Sequence, residues 1–396
     1  MKPPPSLVNV FVDTVAGMEK NASITAMTGA RSMELIGQIH ALHDAGRAAE
    51  ALTILGLRLE EHPRDTAALH GRAAILGLAG DEAAARELTW TALSLEPIVA
   101  LSGVEGPRVV LADCARGYLS QLGERSITLA PPQPRPFTDS AARLPRLRVV
   151  AAFVDCLPPG RPLDDVDLIV CGLGEAEDRL SLGLIQDFVE LHPRAAVINP
   201  PARVARLRRD GVAATLLGLP GLVVPRVIRT PWRTAADMRD LARGHELTYP
   251  LLLEAATPSR QAAMVRIAGE DQWDDRPWPT TTGADLFLRE LGEGTFPAWR
   301  ALSIGGQLFV RPEGGGADFA GDPAAMIGTT AADGLRAMFS RAGLDVAGAE
   351  ITLLDDGRVL LGSLQPAPPR DDLCHPRIVA ALHTLFNAKL SGRSPS

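Results

Sequence analysis

Between positions 32 and 97 the chain matches itself at a spacing of 34 residues. A period of this length predicts helical hairpins that stack on one another, because one hairpin alone cannot bury its apolar face. In each unit a glycine separates two helices and a proline ends the second one. The paired positions are Leu35 and Leu69, Leu42 and Leu76, Gly46 and Gly80, Ala51 and Ala85, Leu59 and Leu93, and Pro63 and Pro97. The first part of the chain is therefore predicted to be all-α.

These two units resemble the tetratricopeptide repeat in their order and spacing, with Leu35 and Leu42 where that repeat usually carries Trp and Tyr. The resemblance implies a concave groove that binds a peptide or a partner protein. The same helices could equally form a surface against which the rest of the chain packs. Because two units expose apolar ends, we expect helices over 5–28 and 107–122 to cover them.

The overall composition narrows the class of protein. The chain has 396 residues, of which 46% are hydrophobic and 22% are charged, as in a globular protein of two or three domains. Its net charge of -7 provides no overall basic surface for nucleic acid or anionic lipid. The sequence shows no run of eighteen apolar residues, no secretory signal and no C-x-x-C pair among its four cysteines. These features predict a cytoplasmic protein with reduced thiols and with neither a nucleic-acid nor a membrane partner.

A proline-rich segment over residues 129–147 separates the helical repeats from a region with a different pattern. Prolines at this density predict a stiff, extended connector. Beyond it, compact apolar runs over 148–154, 167–171 and 195–199 predict strands, and residues 180–191 predict a helix. Strands that alternate with helices indicate a mainly parallel sheet covered on both faces.

The segments that follow come in a characteristic order. The strand at 195–199 ends in Asn199-Pro200-Pro201, and a basic helix over 204–217 precedes a Leu-Pro-Gly turn. The later predicted elements are strands at 223–225, 249–253 and 286–291, a hairpin at 299–307, and a last strand flanked by 347–350 and 355–358. This order resembles the ATP-grasp fold over about residues 148–370. The pairing of tetratricopeptide repeats with an ATP-grasp domain on one chain is itself a known bacterial arrangement.

The resemblance implies a multidomain fold class, with tetratricopeptide-like all-α repeats followed by an ATP-grasp-like domain of α/β and α+β parts. The expected divisions are a helical module over 1–128, a connector over 129–147, an α/β subdomain over 148–228 and ATP-grasp-like lobes over 229–390. ATP-grasp enzymes join a carboxylate to an amine or a thiol through an acyl-phosphate. Such a reaction implies bound ATP and Mg²⁺.

Seven residues match positions that contact nucleotide or metal in ATP-grasp proteins. The resemblance assigns contacts in a nucleotide cleft to Arg209, Arg266, Glu290, Leu291 and Arg300. It assigns the metal to Glu350 and Gln365, since carboxylate and amide oxygens are ligands for hard divalent ions. It assigns no catalytic residue.

The sequence departs from the family pattern at three places. Glu254 follows the strand at 249–253, where ATP-grasp proteins have Lys or Arg to neutralise phosphates. Residues 254–268 contain no glycine, whereas a loop that cradles phosphate requires a pliant backbone. Ser363 stands where a second acidic metal ligand is expected. These departures predict that catalysis is weak or absent.

Three functional hypotheses remain open. The first is a non-catalytic or weakly catalytic ATP-grasp-like protein that acts as a scaffold or recognition subunit for a protein or peptide held by the helical repeats. The second is an ATP-dependent carboxylate-amine ligase that acts on a peptide or an amino acid and uses ATP and Mg²⁺. The third is a helical adaptor joined to an unrelated α/β binding domain. The first and third hypotheses require no cofactor.

Overall fold

The described part of the chain forms a helical segment followed by three β-sheets. The computed structural model describes residues 35, 37–39, 41–102, 105–115, 137, 140, 143–160, 162–173, 176–231, 234–255, 264–273, 285–291, 298–313 and 318–392. The helix predicted over 5–28 and most of the proline-rich connector lie outside these residues. Among the residues described, no helix is long and apolar enough to cross a membrane.

Three helices occupy residues 48–95. They are α1 (Ala48–Glu61), α2 (Thr66–Leu78) and α3 (Glu82–Leu95). Asp65 and Asp81 cap α2 and α3, because each side chain accepts a hydrogen bond from a backbone N–H of the first turn. The predicted period reappears in the turns, where Gly46 and Gly80 have φ angles of 73° and 88°, a region that glycine enters without strain. The helices and turns are therefore as expected here, and membership of the tetratricopeptide family stays a prediction.

His70 gives the helical segment a specific response to pH. The residue lies in α2 and is only 7% exposed, so burial lowers the pKa of its imidazole from 6.5 to about 4. The folded chain therefore keeps His70 neutral, while the unfolded chain takes up a proton as the pH falls below 6.5. We expect this difference to remove on the order of 2 kcal/mol of stability between pH 7 and pH 4.

Urea unfolding at pH 7 and at pH 4.5, followed by circular dichroism, measures this loss. The variant His70→Leu should show a smaller fall in the free energy of unfolding than the wild type. His62→Leu changes an exposed histidine and should behave like the wild type. An equal fall in the wild type and in His70→Leu would contradict the expected role of His70.

The first sheet is mainly parallel. Its strands are β1 (Ile98–Ala100), β2 (Arg108–Asp113), β3 (Arg148–Phe153), β4 (Leu168–Cys171) and β5 (Ala196–Ile198). They lie in the order β1-β3-β2-β4-β5, with β1 antiparallel to β3 and the other pairs parallel. Helix α4 (Arg179–Glu190) connects β4 to β5. The three strands and the helix predicted just beyond the connector are confirmed, and so is the parallel character of the sheet.

Strands β1 and β2 correct two expectations about the region before the connector. Residues 108–113 form the central strand of the first sheet, so the helix predicted over 107–122 is wrong there. For the same reason the helical module does not continue unbroken to residue 128. The physical cause is the apolar run 109–112, which is buried between β3 and β4 as the central strands of parallel sheets are.

A break divides the single helix predicted over 204–217. The structure has α5 (Pro201–Val204), a 3-10 turn (Ala205–Leu207) and α6 (Arg209–Leu216), after which β6 (Leu222–Val223) follows. Arg208 is extended, with a ψ angle of 151°. Gly211 allows a close approach, since a Cβ atom there would lie 2.5 Å from the carbonyl oxygen of Arg206. The break puts Arg209 at the first position of α6, from which it contacts the second sheet.

The second sheet is antiparallel and has its own apolar core. Its strands are β7 (Val227–Thr230), β8 (Leu251–Ala255), β9 (Met264–Ile267) and β10 (Leu286–Glu290), in the order β7-β10-β8-β9. Helix α7 (Ala235–Gly244) shares that core with Leu251, Leu253, Leu286 and Leu288. Because side chains alternate along a strand, residues 252, 254, 287 and 289 lie on the opposite face.

The third sheet is covered on both faces by helices. Its strands are β11 (Ala298–Ile304), β12 (Gln307–Pro312), β13 (Val346–Leu353) and β14 (Val359–Gln365), and with β6 they lie in the order β12-β11-β13-β14-β6. The helices that follow these strands or separate them are α8 (Pro323–Ile327), α9 (Thr329–Ala342), α10 (Arg370–Leu373) and α11 (Pro376–Leu390). Helix α9 packs with Ala301 and Ile351, and α11 packs with Leu302 and Val346. The hairpin predicted at 299–307 and the final strand pair are confirmed.

The mainly parallel first sheet, the antiparallel second sheet and the mainly antiparallel third sheet agree with the predicted α/β and α+β organisation. The second and third sheets meet where Arg289 of β10 donates a hydrogen bond to the carbonyl oxygen of Gly362 in β14. We call this meeting zone the junction. The nucleotide cleft implied by the resemblance to ATP-grasp proteins stays a prediction. The domain divisions at residues 147 and 228 stay predictions.

Candidate functional site

Glu254 is the centre of an ion cluster at the junction. The residue lies in β8 and is only 8% exposed. Arg209 Nη1 donates to Glu254 Oε2 at 2.7 Å, and Arg289 Nε lies 3.4 Å from Glu254 Oε1. We call Arg209, Glu254 and Arg289 the Glu254 cluster. One carboxylate is thus shared by two arginines that come from different elements of the fold.

An aromatic ring and further carboxylates surround the cluster on the β7 side. The buried ring of Phe287 lies near two guanidinium groups, with Arg209 at 5.2 Å and Arg229 at 5.6 Å from its centroid. Arg229 pairs with Asp285 at 2.6 Å and with Glu177 at 3.6 Å. Both arginines therefore have carboxylate partners, which compete with any phosphate for their positive charge.

Arg289 also reaches across the junction. Its Nη1 donates to the carbonyl oxygen of Gly362 in β14. At Gly362 a Cβ atom would lie 3.0 Å from the carbonyl oxygen of Glu350, which is a tight contact with backbone. The side chain of one residue thus ties β10 of the second sheet to β14 of the third.

Glu290 and Leu291, which were predicted to contact a nucleotide, make other bonds. The Glu290 carboxylate accepts hydrogen bonds from the backbone N–H and the hydroxyl of Thr248 at 2.9 and 3.0 Å, and from the Arg226 N–H at 3.2 Å. The Leu291 N–H donates to the carbonyl oxygen of Pro250 at 2.9 Å. Glu290 belongs to the strand face that packs towards α7. The nucleotide contact assigned to Glu290 stays a prediction, and the Leu291 N–H is already engaged.

Arg266 lies near the edge of the second sheet. It is an exposed residue of β9 and pairs with Leu252 of β8. Because Leu252 and Glu254 share one face of β8, Arg266 lies on the face that carries the Glu254 cluster. The nucleotide contact assigned to Arg266 stays a prediction.

The predicted metal residues lie together on the third sheet. Glu350 in β13 is opposite Ser363 in β14, where the register shifts between Glu350 and Ile351, and Gln365 follows two residues later. Ser363 Oγ donates to Glu350 Oε2 at 3.1 Å, and Gln365 Nε2 donates to Ser363 Oγ at 3.4 Å. On its other side Glu350 faces Arg300 of β11, whose Nη2 lies 3.9 Å from Glu350 Oε1. A serine and an arginine therefore engage the carboxylate that was predicted to hold a metal.

Arg300 is bound mainly by other carboxylates. Its Nη1 donates to Asp372 Oδ2 at 3.1 Å, and its Nη2 donates to Glu313 Oε1 at 2.8 Å. Arg311 donates to the other oxygen of Asp372 through Nη2 at 2.6 Å and through Nε at 3.1 Å. Asp372 is 1% exposed, so a buried carboxylate fastens α10 to β11 and β12. The nucleotide contact assigned to Arg300 would have to compete with these partners.

The donor set around Glu350 does not fit a magnesium ion. Mg²⁺ needs near-octahedral oxygen ligation and is usually held through one or two carboxylates together with water and phosphate oxygens. Here a single carboxylate is joined by a hydroxyl and an amide, and the Arg300 cation is close enough to repel a divalent ion. In the part of the chain that the structure describes, no group of three or more His, Cys, Asp or Glu side chains is arranged to hold a metal. The geometry therefore does not support the metal role predicted for Glu350 and Gln365.

The carboxyl end of the first sheet holds an acidic group that the sequence did not single out. Asp113 ends β2, and its carboxylate accepts a hydrogen bond from the Cys114 N–H at 2.8 Å. Desolvation, with Asp155 and Asp178 nearby, raises the pKa of Asp113 to about 7. Burial also raises the pKa of the Cys171 thiol to about 12, so this thiol is poorly suited to nucleophilic chemistry.

The residues that the sequence analysis missed are Arg229, Phe287 and the partner role of Arg289. Phe287 and Arg289 are two positions apart in β10, which places both on the face of Glu254 once the pairing of β8 with β10 is known. The two-residue spacing of Phe287 and Arg289 therefore indicates that their side chains share one face of β10. That this face also carries Glu254 follows only from the pairing of β8 with β10, which the sequence alone does not show.

The structure of this chain is similar in shape to several solved protein structures. No protein-family model matches the sequence, and no curated protein matches it significantly. The chain is similar to a RimK-domain ATP-grasp protein from Sphaerobacter thermophilus, with 16% identity, 70% of this chain and 97% of that chain covered, and a TM-score of 0.47. It is similar to the ATP-grasp ligase PsnB in complex with the precursor peptide PsnA2 and AMPPNP, with 15% identity, coverage of 73% and 98%, and a TM-score of 0.46.

A third similar structure is the D-alanine–D-alanine ligase from Bacillus anthracis. The identity is 10%, the coverage is 73% of this chain and 99% of that chain, and the TM-score is 0.45. Similarity in shape at this level supports no conclusion about the activity of the present chain.

Proposed function

We propose that this chain is an ATP-grasp-like protein with a binding or recognition role that does not use magnesium nucleotide at the junction. The observation that carries this proposal is the Glu254 cluster. Where the resemblance expects a phosphate-binding cation, Glu254 presents a carboxylate that already holds Arg209 and Arg289. A triphosphate would have to displace this carboxylate from both arginines and would meet its negative charge.

In this proposal the helices α1 to α3 receive a protein or peptide partner. Each of them carries an exposed apolar side chain, namely Leu57, Leu78 and Trp90. Exposed apolar side chains can serve as contacts for a protein partner. They support a partner at the helical segment, in line with the groove that the repeat resemblance implies.

An ATP-dependent carboxylate-amine ligase is the second candidate function. It is favoured by the row of Arg300, Glu350, Ser363 and Gln365, which keeps one carboxylate and one amide oxygen where the resemblance expects the metal. The similar structures PsnB and the D-alanine ligase are described as ligases. This candidate ascribes such an activity to the present chain, with ATP and Mg²⁺ as cofactors and a peptide or an amino acid as substrate.

Isothermal titration with ATP and MgCl₂, combined with an assay of ADP release, separates the two candidates. If the junction does not take magnesium nucleotide, we expect no saturable binding below about 1 mM ATP, which corresponds to about 4 kcal/mol of binding free energy. Micromolar binding with ADP release would replace the first proposal by the ligase. In that case Glu350→Gln should abolish ADP release, while Glu87→Gln on the exposed side of α3 should leave it unchanged.

A further inference from the structure

We infer that Glu254 is an electrostatic latch that holds the second and third sheets together across the junction. The inference goes beyond the proposed function, because it holds whether or not a nucleotide ever binds there. It rests on the contacts of Glu254, on the burial of those contacts, and on the way the apolar cores are divided.

The contacts form a continuous chain from one side of the junction to the other. Arg209 at the start of α6 binds one oxygen of Glu254 in β8, and Arg289 of β10 pairs with the other oxygen. Arg289 then donates to the carbonyl oxygen of Gly362 in β14. Glu254 is therefore the ion-pair partner, at 3.4 Å, of the guanidinium group that reaches the third sheet. Without its charge, the Nε atom of Arg289 would lose its ion-pair partner and the bridge to β14 would be held at one end only.

The latch is sheltered from water. The side chain of Glu254 is 10% exposed and that of Arg289 is 21% exposed. The ion pair between Arg243 and Glu270, next to the same sheet, has exposures of 64% and 52%. Exposed pairs contribute little because water and salt screen them, whereas loss of one partner of a sheltered pair leaves an uncompensated charge. The Arg243–Glu270 pair is therefore a matched control for the latch.

The apolar cores explain why a polar contact matters at this place. Within the described residues, the apolar cluster of the second sheet consists of residues from that sheet, from α7 and from their connections. The clusters that join the first and third sheets contain no residue of the second sheet. The second sheet is therefore not continuous with the larger core. Its position against the third sheet depends on contacts such as those of the latch.

Hydrogen–deuterium exchange of the full chain tests the latch with the variant Glu254→Gln. This change keeps the size and polarity of the side chain and removes its charge. We expect the amides of β8, β10 and β14 to exchange about tenfold faster than in the wild type, because local opening follows the loss of the contacts that hold the junction closed. The amides of α1 to α3 should exchange at the wild-type rate. Glu270→Gln should leave all of these rates unchanged.

A second variant keeps the test decisive if Glu254→Gln folds poorly. Arg289→Gln removes the bridge to Gly362 while the pair of Arg209 with Glu254 remains, so β14 should again exchange faster. When both changes are combined, the acceleration in β14 should be no larger than that of the stronger single variant, because both act on one bridge. Wild-type exchange in β14 of either variant, or fully multiplicative effects in the double variant, would overturn the latch. Neither result would bear on nucleotide binding, which the calorimetry measures separately.

Discussion

Replacing Asn199 by alanine should lower the free energy of unfolding by about 4 kcal/mol, one of the largest effects expected of any single substitution in this chain. The fully buried Asn199 side chain makes three hydrogen bonds. Its Nδ2 donates to the carbonyl oxygens of Val346 at 2.7 Å and Pro366 at 2.8 Å, and its Oδ1 accepts from the Val346 N–H at 3.0 Å. Alanine would leave all three backbone groups without a partner in the interior.

The backbone adds to this cost. Asn199 has a φ angle of 54°, in the left-handed region where asparagine is tolerated and alanine is strained. Its own N–H donates to Asp345 Oδ2 at 3.1 Å, and Asp345 pairs with Lys389 of α11 at 2.8 Å. Asn199 therefore joins the end of β5 to the third sheet and to the last helix. Loss of its side chain should loosen the contact between the first and third sheets.

Urea unfolding of the full chain measures the effect, and Asn387→Ala provides a matched control. Asn387 lies on the exposed side of α11, so the same substitution there should change stability by less than about 0.5 kcal/mol. Asn199→Gly removes the strain in the backbone but not the loss of the three bonds, and it should remain destabilised. A midpoint for Asn199→Ala that equals that of Asn387→Ala would show that the three bonds do not stabilise the fold.

Local sequence patterns were sufficient for much of the fold around Asn199. The apolar runs beyond residue 147 predict β3, β4 and β5, because strands buried on both faces read as continuous hydrophobic segments. The adjacency of β13 and β14 also follows from the sequence, whereas the pairing of Glu350 with Ser363 does not, because the register shifts between Glu350 and Ile351. In both cases the deciding interactions lie within a short stretch of chain.

The strands β1 and β2 could not be predicted in the same way. β1 has three residues, too few to show an alternating pattern. The apolar run of β2 is compatible with a short helix, and its strand partners β3 and β4 lie on the far side of the proline-rich connector. Residues 108–113 form a strand because they pair with β3 and β4, which are distant in the chain. A local sequence pattern carries no information about such partners.

The Glu254 cluster shows the same limit at the candidate site. The sequence indicates that Glu254 stands where a cation is expected, and this can be recognised from the neighbouring residues of the chain alone. Its hydrogen bond to Arg209 joins residues 45 positions apart, and Arg289 approaches it through the pairing of β8 with β10. Charge can be counted from a sequence, whereas its neutralisation depends on the pairing of strands.

Arg300 illustrates what these distant partners do to a predicted binding residue. Its sequence position suggests a nucleotide contact, yet it lies between Asp372, Glu313 and Glu350. Of these, Asp372 is the most buried and is shared with Arg311. The position of the Arg300 side chain at the third sheet is therefore held by Asp372, and no local sequence pattern singles this residue out.

Replacing Asp372 by asparagine should lower the free energy of unfolding by about 3 kcal/mol. The substitution keeps the shape of the side chain but removes the charge that Arg300 and Arg311 share, and these arginines are only 16% and 19% exposed. Two poorly hydrated cations would then lie close together, with Glu313 and Glu350 as the remaining partners of Arg300. We expect α10 to separate from β11 and β12 before the rest of the third sheet unfolds.

Asp371→Asn is the matched control, because the neighbouring carboxylate is exposed and the same change there should alter stability by less than about 0.5 kcal/mol. Arg311→Met combined with Asp372→Asn should cost less than the sum of the two single changes, by about 1 to 2 kcal/mol, since the second change no longer leaves a charge unpaired. Urea unfolding of the four variants measures both quantities. Additive costs, or equal stability of Asp372→Asn and Asp371→Asn, would mean that Asp372 does not hold the two arginines in solution, and Arg300 would then be available to an anionic ligand at Glu350.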